Sequence, residues 1–258
     1  MKKFFAQSYL WLLLALLYAP IIIIAIFSFT EAKVLGNWTG FSTKLYSNLF
    51  TGDMQGAGSL MSAIQNTLLI ALIAAGVSTL IGTIAAIGIH NMKGRGKQAI
   101  TFLNNIPMLN PDIITGVSLF LLFVFLRISQ GYTTVILAHI TFCTPYVVLS
   151  VLPKLTQMNP NIYEAALDLG CTPVQAFFKV KLPNIMPAVL SGMVMAFTLS
   201  LDDFVISYFV GPTDFQTLPL LIYSMTKKEV KPDIYALSTL MIRSISKSFG
   251  RVSGSTLS

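Results

Sequence analysis

Residues 67–90 read TLLIALIAAGVSTLIGTIAAIGIH, a stretch of 24 positions with no Asp, Glu, Lys or Arg. A helix needs about 20 mostly apolar residues to cross the roughly 30 Å hydrocarbon core of a bilayer. The stretch therefore predicts a membrane-spanning helix. Four further apolar runs meet or nearly meet the same length, at 10–29, 107–126, 134–152 and 186–210. We expect an all-α integral membrane protein in which residues 1–258 form one transmembrane domain, a helical bundle of five spans.

The composition of the whole chain agrees with this prediction. Of its 258 residues, 54% are hydrophobic and only 10% are charged, whereas a soluble domain has about 25% charged residues. The net charge of +7 does not indicate nucleic-acid binding, because the basic residues fall in short clusters between the apolar runs. We expect membrane lipid, and no nucleic acid, as a partner.

The distribution of Lys and Arg between alternate loops predicts the orientation. With a cytoplasmic N-terminus, the inner loops hold eight basic residues and the outer loops hold six. Cytoplasmic loops carry the excess of such residues in membrane proteins. The cluster KGRGK at 93–97 contributes most to the bias. The N-terminus and the long loop 153–183 are therefore expected on the cytoplasmic side.

The last part of the chain does not read as a sixth span. The final apolar run ends at Ile242, and Arg243, Lys247 and Arg251 follow at helical spacing. Each basic residue at the centre of a spanning helix costs about 2.5–3.5 kcal/mol on insertion scales. Residues 242–258 are expected either to lie at the membrane surface or to replace a native C-terminus, and we favour replacement.

The long loop between the fourth and fifth runs carries helix-capping signals. Asn159 followed by Pro160 is typical of a helix start, and Gly170 can end that helix in the left-handed conformation. Thr172, with Gln175 three residues later, predicts a capping box for a second helix. We expect two short helices joined at Gly170, an arrangement suited to docking into a partner's groove.

The spacing of residues in this loop resembles a known motif. Glu164-Ala165-Ala166, Gly170, Val180 and Leu182-Pro183 match the pattern EAA, three residues, G, nine residues, I, one residue, LP, with Val180 in place of isoleucine. This pattern is typical of the permease subunits of ATP-binding-cassette importers. The resemblance covers residues 8–241 and is closest to the permeases for spermidine and putrescine. It runs through YAPII at 18–22, PDI at 111–113, HITFC at 139–143, FTLSLDD at 197–203 and LPL at 218–220.

The resemblance implies an import function and a set of partners. In this family the EAA loop seats in a cleft of the ATPase subunit and carries nucleotide-driven closure to the spans. Coupling is thereby assigned to Glu164, Ala165, Ala166, Gly170, Leu182 and Pro183. Also implied are a bacterial inner membrane location, a second similar permease subunit, two copies of an ATPase subunit and a periplasmic polyamine-binding protein. The chain itself is then no enzyme and holds no cofactor, because the ATPase binds ATP and Mg²⁺.

Three carboxylates, those of Asp112, Asp202 and Asp203, lie inside apolar runs. Ionisable groups inside a membrane are costly and mark a pathway or a binding site by default. Since none has a basic partner in its own run, we expect them to pair with a cationic substrate such as a polyamine. The helical rise of 1.5 Å places Asp202 about 24 Å into its span and Asp112 about 8 Å into its own. This difference in depth favours a ladder of carboxylates over one cage.

Structural roles for the same carboxylates remain open. Asn110 and Pro111 can start a helix in which Asp112 merely complements the helix dipole. Asp202 and Asp203 are about 100° apart on a helix, so both are not expected to face one path. One of the pair can instead hydrogen-bond a nearby serine.

Other chemistry finds little support in the sequence. His139 and Cys143 lie four residues apart on one helical face, but no further ligand is near, which favours a buried polar pair over half a metal site. The sequence shows no phosphate-binding loop, nucleophilic-serine elbow or zincin motif. The remaining alternatives are a permease for another cationic solute or an amino acid, and an ATP-independent cation transporter.

Overall fold

The computed structural model describes residues 2–29, 40–43, 46–47, 57–212, 215–228 and 238–239. The chain divides into two compact units, Met1–Leu60 with Ile222–Ser258, and Met61–Leu221. The described helices are α1 Lys2–Phe27, α2 Ala57–Asn91, α3 Gly94–Leu109, α4 Asp112–Phe125, α5 Tyr132–Gln157, α6 Pro160–Asp168, α7 Pro173–Ala176, α8 Leu182–Asp202, α9 Val205–Val210 and α10 Leu218–Lys228. The predicted all-α fold is confirmed.

Four helical stretches are long and apolar enough to cross a membrane: Gln7–Phe27, Leu60–Asn91, Tyr132–Gln157 and Pro173–Asp202. Helices α3 and α4, with 16 and 14 residues, are each too short and pass the same test only as a pair, which is bent by 108°. The described residues therefore contain four spans, or five if the bent pair counts as one. This count agrees with the multi-pass membrane protein expected from the sequence.

Two of the predicted spans are interrupted. Residues 107–126 do not form one helix, because the chain leaves the helical conformation at Asn110 and Pro111. Proline disfavours the helical conformation in the residue before it, and Asn110 accordingly has φ −81° and ψ 141°. The predicted run 186–210 is broken as well, since α8 ends at Asp202 and α9 begins only at Val205.

The predicted loop 153–183 is largely helical. Helix α5 continues to Gln157, and the second of the two expected short helices is the start of a continuous stretch, Pro173–Asp202. A π-helical turn, Phe177–Lys181, joins α7 to α8, and the Leu182 N–H donates to the Phe177 carbonyl five residues back. Pro183 follows directly, and a proline inside a helix lacks the N–H needed for the regular ladder. The expectation for residues 242–258 lies outside the described residues.

Helix α1 belongs to the first unit and is apolar on all sides. The window Gln7–Phe27 has a mean hydropathy of 2.8, and none of it is buried. Its exposed side chains include Trp11 and Leu16. A helix that is hydrophobic all round and exposes these side chains is suited to contact with lipid or with another membrane helix.

Helix α5 forms the centre of the second unit. Eleven of its residues are buried, His139, Cys143 and Val147 among them. Neighbouring helices approach it at glycines: a Cβ added to Gly82 of α2 would lie 2.7 Å from the Val147 Cβ, and one added to Gly192 of α8 would lie 3.4 Å from the Val147 Cα. Small residues permit this close approach of backbones, which supplies much of the packing energy between membrane helices.

Candidate functional site

The three predicted carboxylates lie at the two helix breaks. Asp112 is the first residue of α4, directly after the 108° bend, and Asp202 is the last residue of α8. Asp203 lies in the extended connection to α9. The Asp202 carboxylate is within electrostatic reach of both Asp203 and Asp112. The two breaks therefore contribute to one group of carboxylates, and the ladder at separate depths stays a prediction.

Helix α4 is held in this region by a close contact with α9. A Cβ added to Gly116 would lie 3.2 Å from Phe209 Cδ2 and 3.6 Å from the Ile206 Cα. Gly116 is buried one turn after Asp112. The position of Asp112 is thus fixed by α9, whereas Asp202 belongs to α8 on the other side of the break.

The Asp203 carboxylate caps α9. Its Oδ1 accepts a hydrogen bond from the Ile206 N–H at 3.1 Å, and its Oδ2 accepts one from the Ser207 N–H at 2.9 Å. These are two of the N–H groups that a helix start leaves without a partner. The side chain is only 5% exposed. The Asp203 carboxylate therefore has a structural role as the cap of α9. The expected 100° separation between Asp202 and Asp203 on one helix does not hold, because the helix ends between them.

His139 joins the same region, and sequence reasoning gave it no role there. Its Nδ1 hydrogen-bonds the Ser200 Oγ at 2.7 Å, and its Nε2 hydrogen-bonds the Ser207 Oγ at 3.0 Å. The same Nε2 lies 3.4 Å from Asp203 Oδ2. The partners are more than 60 residues away in sequence, so only the apolar surroundings of the histidine signalled a buried polar contact. Cys143, the expected partner of His139, instead points its Sγ to the Ala196 carbonyl at 3.5 Å.

Asp112 and Asp202 remain exposed, and within the described residues neither forms a salt bridge. Tyr146 lies within electrostatic reach of Asp112, and its ring packs edge-on against Phe142 with centroids 5.5 Å apart. Carboxylates and an aromatic ring together can bind an organic cation through charge pairing and cation–π attraction. No group of three or more metal-ligating side chains occurs in the part of the chain that the structure describes.

The coupling segment, the loop 153–183 to which coupling was assigned, has the predicted local structure at its helix starts. The Asn159 side chain accepts from the Asn161 N–H at 3.0 Å, and Pro160 begins α6. Thr172 and Gln175 form the predicted capping box at the start of α7. These caps need only neighbouring residues, which is why the sequence signals were sufficient.

Gly170 ends α6 in the predicted left-handed conformation, with φ +87°. The Cys171 N–H donates to the Ala166 carbonyl at 3.1 Å, and the Gly170 N–H donates to the Leu167 carbonyl at 2.9 Å. This pair of hydrogen bonds is a Schellman motif, which closes a helix C-terminus. The spacing between Ala166 and Gly170 in the sequence motif thus corresponds to one capped helix end.

The motif residues divide into buried and exposed positions. Ala166 is 8% exposed, whereas Glu164 and Ala165 are exposed on α6. The Lys181 Nζ lies 5.8 Å from the centroid of the Tyr163 ring and ties the π turn to α6. Leu182 packs against the main core and Pro183 is exposed at the start of α8.

The same segment exposes a row of large apolar side chains. They are Ile162 at 46%, Leu169 at 87%, Val174 at 66% and Phe178 at 59% of full exposure. A loop segment gains no stability of its own from exposed leucine and phenylalanine, and exposed apolar patches mark interaction sites. The coupling segment is thus suited to contact with another protein.

The comparisons with known proteins agree with this arrangement. Residues 78–245 match the family described as binding-protein-dependent transport system inner membrane component. The putrescine transport system permease protein PotI of Escherichia coli is 42% identical over 236 residues, 89% of this chain and 82% of that protein. The spermidine/putrescine transport system permease protein PotC of Haemophilus influenzae is 40% identical over 243 residues, 94% of this chain and 93% of that protein.

Solved structures share the fold at low sequence identity. A bacterial ABC transporter involved in the import of the acidic polysaccharide alginate matches with a TM-score of 0.69 and 13% identity, covering 96% of this chain and 92% of that chain. The MetNI methionine ABC transporter matches with a TM-score of 0.63 and 17% identity, covering 77% of this chain and 94% of that chain. From the family match and the close relatives, the chain belongs to the inner membrane components of binding-protein-dependent transport systems.

Proposed function

We propose that this chain is a permease subunit of an ATP-driven polyamine importer, in which Asp112 and Asp202 bind the passing cation. The observation that carries the proposal is the pair of exposed carboxylates at neighbouring helix breaks, with no basic partner among the described residues. Relatives named for putrescine and for spermidine/putrescine transport, at 40–42% identity, support the substrate class.

The chemistry of polyamines fits this region. Putrescine and spermidine are flexible methylene chains with ammonium groups at intervals, so two separated carboxylates can each pair with one charge. The Tyr146 ring, within electrostatic reach of Asp112, can cover methylenes and attract an ammonium group through its face. Asp203 supports the site by holding α9 in place and does not bind the cation, because both of its carboxylate oxygens already cap α9.

The proposed assembly includes four further components. A second permease subunit completes the path, two copies of an ATPase subunit dock on the coupling segment, and a periplasmic protein delivers the polyamine. ATP and Mg²⁺ bind to the ATPase subunits and not to this chain. The exposed apolar row on residues 162–178 supports this docking. The N-terminus and the coupling segment lie on the cytoplasmic side, as the Lys and Arg bias favours.

Uptake of labelled spermidine tests the proposal. A bacterium without polyamine import would express this chain with its partner permease, ATPase and binding protein, and the control would lack only this chain. We expect uptake that requires both this chain and an active ATPase. Uptake that persists without the ATPase would favour a secondary transporter, and competition by amino acids rather than by putrescine would refute the polyamine assignment.

Substitutions at Asp202 test the role of the carboxylate. Asp202→Asn keeps the shape and removes the charge, and the loss of a charged hydrogen-bond partner lowers uptake by about tenfold or more. Asp202→Glu is the matched variant that keeps the charge, and it should retain more activity. Equal uptake by the native chain and by Asp202→Asn, at equal membrane levels, would contradict the proposal.

A further inference from the structure

We propose that His139 is a positioning residue that sets the spacing between Asp112 and Asp202, and so contributes to the choice between polyamines of different length. The inference rests on the proposed function, since it concerns the same two carboxylates. His139 contacts neither carboxylate directly in the arrangement described above. It acts through the break between α8 and α9.

The imidazole ring bridges the two sides of the break. Ser200 belongs to α8, before the break, and Ser207 belongs to α9, after it, and each hydroxyl bonds a different ring nitrogen. The His139 side chain is 1% exposed, and Ser200 and Ser207 are 3% and 0% exposed. A neutral imidazole has one donor and one acceptor nitrogen, and a hydroxyl can fill either complementary role. Both imidazole nitrogens and both serine hydroxyls thus have a hydrogen-bond partner although they are buried away from water.

The break is not caused by glycine or proline. Residues 200–206 read SLDDFVI and contain neither glycine nor proline. Sharp interruptions of a helix usually arise at glycine or proline, or where a side chain inserts into the hydrogen-bond ladder of the backbone. The cap by Asp203 and the bridge by His139 are the contacts that hold the interruption here. Without the bridge, the α8 and α9 segments lose the group that fixes one relative to the other.

The two substrate carboxylates lie on opposite sides of this joint. Asp202 ends α8, whereas Asp112 is carried by α4, which packs on α9 through Gly116. A change in the angle between α8 and α9 therefore changes the distance between the carboxylates. Since the ammonium groups of putrescine and spermidine are spaced differently, that distance discriminates between them.

The test compares hydroxyl deletions on the two sides of the joint. Ser200→Ala and Ser207→Ala each remove one side of the bridge, and His139→Gln keeps a polar group that reaches only one side. The matched control is Thr198→Val, because the Thr198 hydroxyl bonds only the Val194 carbonyl of its own helix, at 2.9 Å. The measured quantity is the ratio of maximal uptake rates for putrescine and spermidine, in the complete transporter with saturating binding protein.

We expect both serine variants to shift this ratio by about two- to tenfold, the factor that one lost hydrogen bond produces. A defect of folding or assembly lowers both rates together and leaves the ratio unchanged. Thr198→Val should leave the ratio at the native value. A native ratio in both serine variants would overturn the inference, even if His139→Gln failed to assemble.

A distance measurement separates this inference from the proposed function. Spin labels on Ser118→Cys in α4 and Leu190→Cys in α8, both exposed positions, report the spacing across the joint in a Cys171→Ser background. We expect the distance distribution to shift in Ser207→Ala and not in Thr198→Val. An unchanged distance with impaired uptake by Asp202→Asn would overturn the inference and leave the proposed function. Normal uptake by Asp202→Asn would overturn the proposed role of that carboxylate, and with it the effect on polyamine choice, even where the distance shifts.

Discussion

Replacing Gly170 by alanine should weaken the docking of the ATPase without disturbing the membrane helices. Gly170 has φ +87° and closes the Schellman motif at the end of α6. A Cβ at this position would meet no atom within 4 Å, so the backbone conformation alone opposes the change. A residue with a Cβ pays about 1–2 kcal/mol in the left-handed region, which lowers the equilibrium constant for forming the turn by about 5- to 30-fold.

Two variants control for this reasoning. Gly88→Ala also places a Cβ in open space, but Gly88 lies inside α2 and lacks a positive φ. Alanine is favourable in a helix interior, so this variant should behave like the native chain. Gly170→Asn restores a residue that tolerates the left-handed conformation, and it should recover most of the loss.

The assay is the dissociation constant of the purified ATPase subunit for permease pairs held in lipid nanodiscs. When only one conformation binds, the apparent dissociation constant rises as that conformation becomes rarer, here by up to about 30-fold for Gly170→Ala. ATP-dependent uptake should fall in parallel. Equal dissociation constants for Gly170→Ala and Gly88→Ala would refute the reasoning, and a full loss in Gly170→Asn would show that backbone conformation is not the cause.

Three further predictions concern single side chains. Leu169→Asp should weaken ATPase binding while the thermal stability of the permease stays native, because Leu169 is 87% exposed and contributes little to its own fold; a melting temperature that falls with the binding would contradict this. Asp203→Asn should lower the amount of folded protein in the membrane more than Asp202→Asn does, because both Asp203 oxygens accept backbone N–H groups of α9 and asparagine keeps only one acceptor; equal levels by fluorescence-detected chromatography would count against the cap. Gly82→Val should destabilise the permease by about 1–3 kcal/mol, because its Cβ would lie 2.7 Å from the Val147 Cβ; an unchanged melting temperature in detergent would show that α2 and α5 can separate without cost.

The features that the sequence predicted correctly are those whose causes are local. The number of apolar runs, the caps at Asn159 and Thr172, and the left-handed Gly170 all depend on residues within a few positions of one another. Hydropathy alone, however, does not distinguish a straight span from a bent one. The run 107–126 is apolar enough to cross, although Asn110 and Pro111 divide it.

The arrangement of the candidate site depended on contacts that no local pattern encodes. The break after Asp202 has no glycine or proline beside it, and His139 meets its serine partners across 61 and 68 residues. The sequence singled out the three carboxylates as candidates because they lie inside apolar runs. Which of them is free and which is a cap could be decided only once α9 and its first N–H groups were placed around Asp203.

The continuous helix from Pro173 to Asp202 links the coupling segment mechanically to the carboxylate of Asp202. Its 30 residues measure about 45 Å at 1.5 Å per residue. One end belongs to the exposed coupling segment, and the other end carries a carboxylate beside a joint. A tilt of about 10° around the Pro173 end would displace Asp202 by about 8 Å, from the helix length alone. Under the proposed function, a small stroke delivered by the ATPase would be enough to move one wall of the proposed cation path relative to the other.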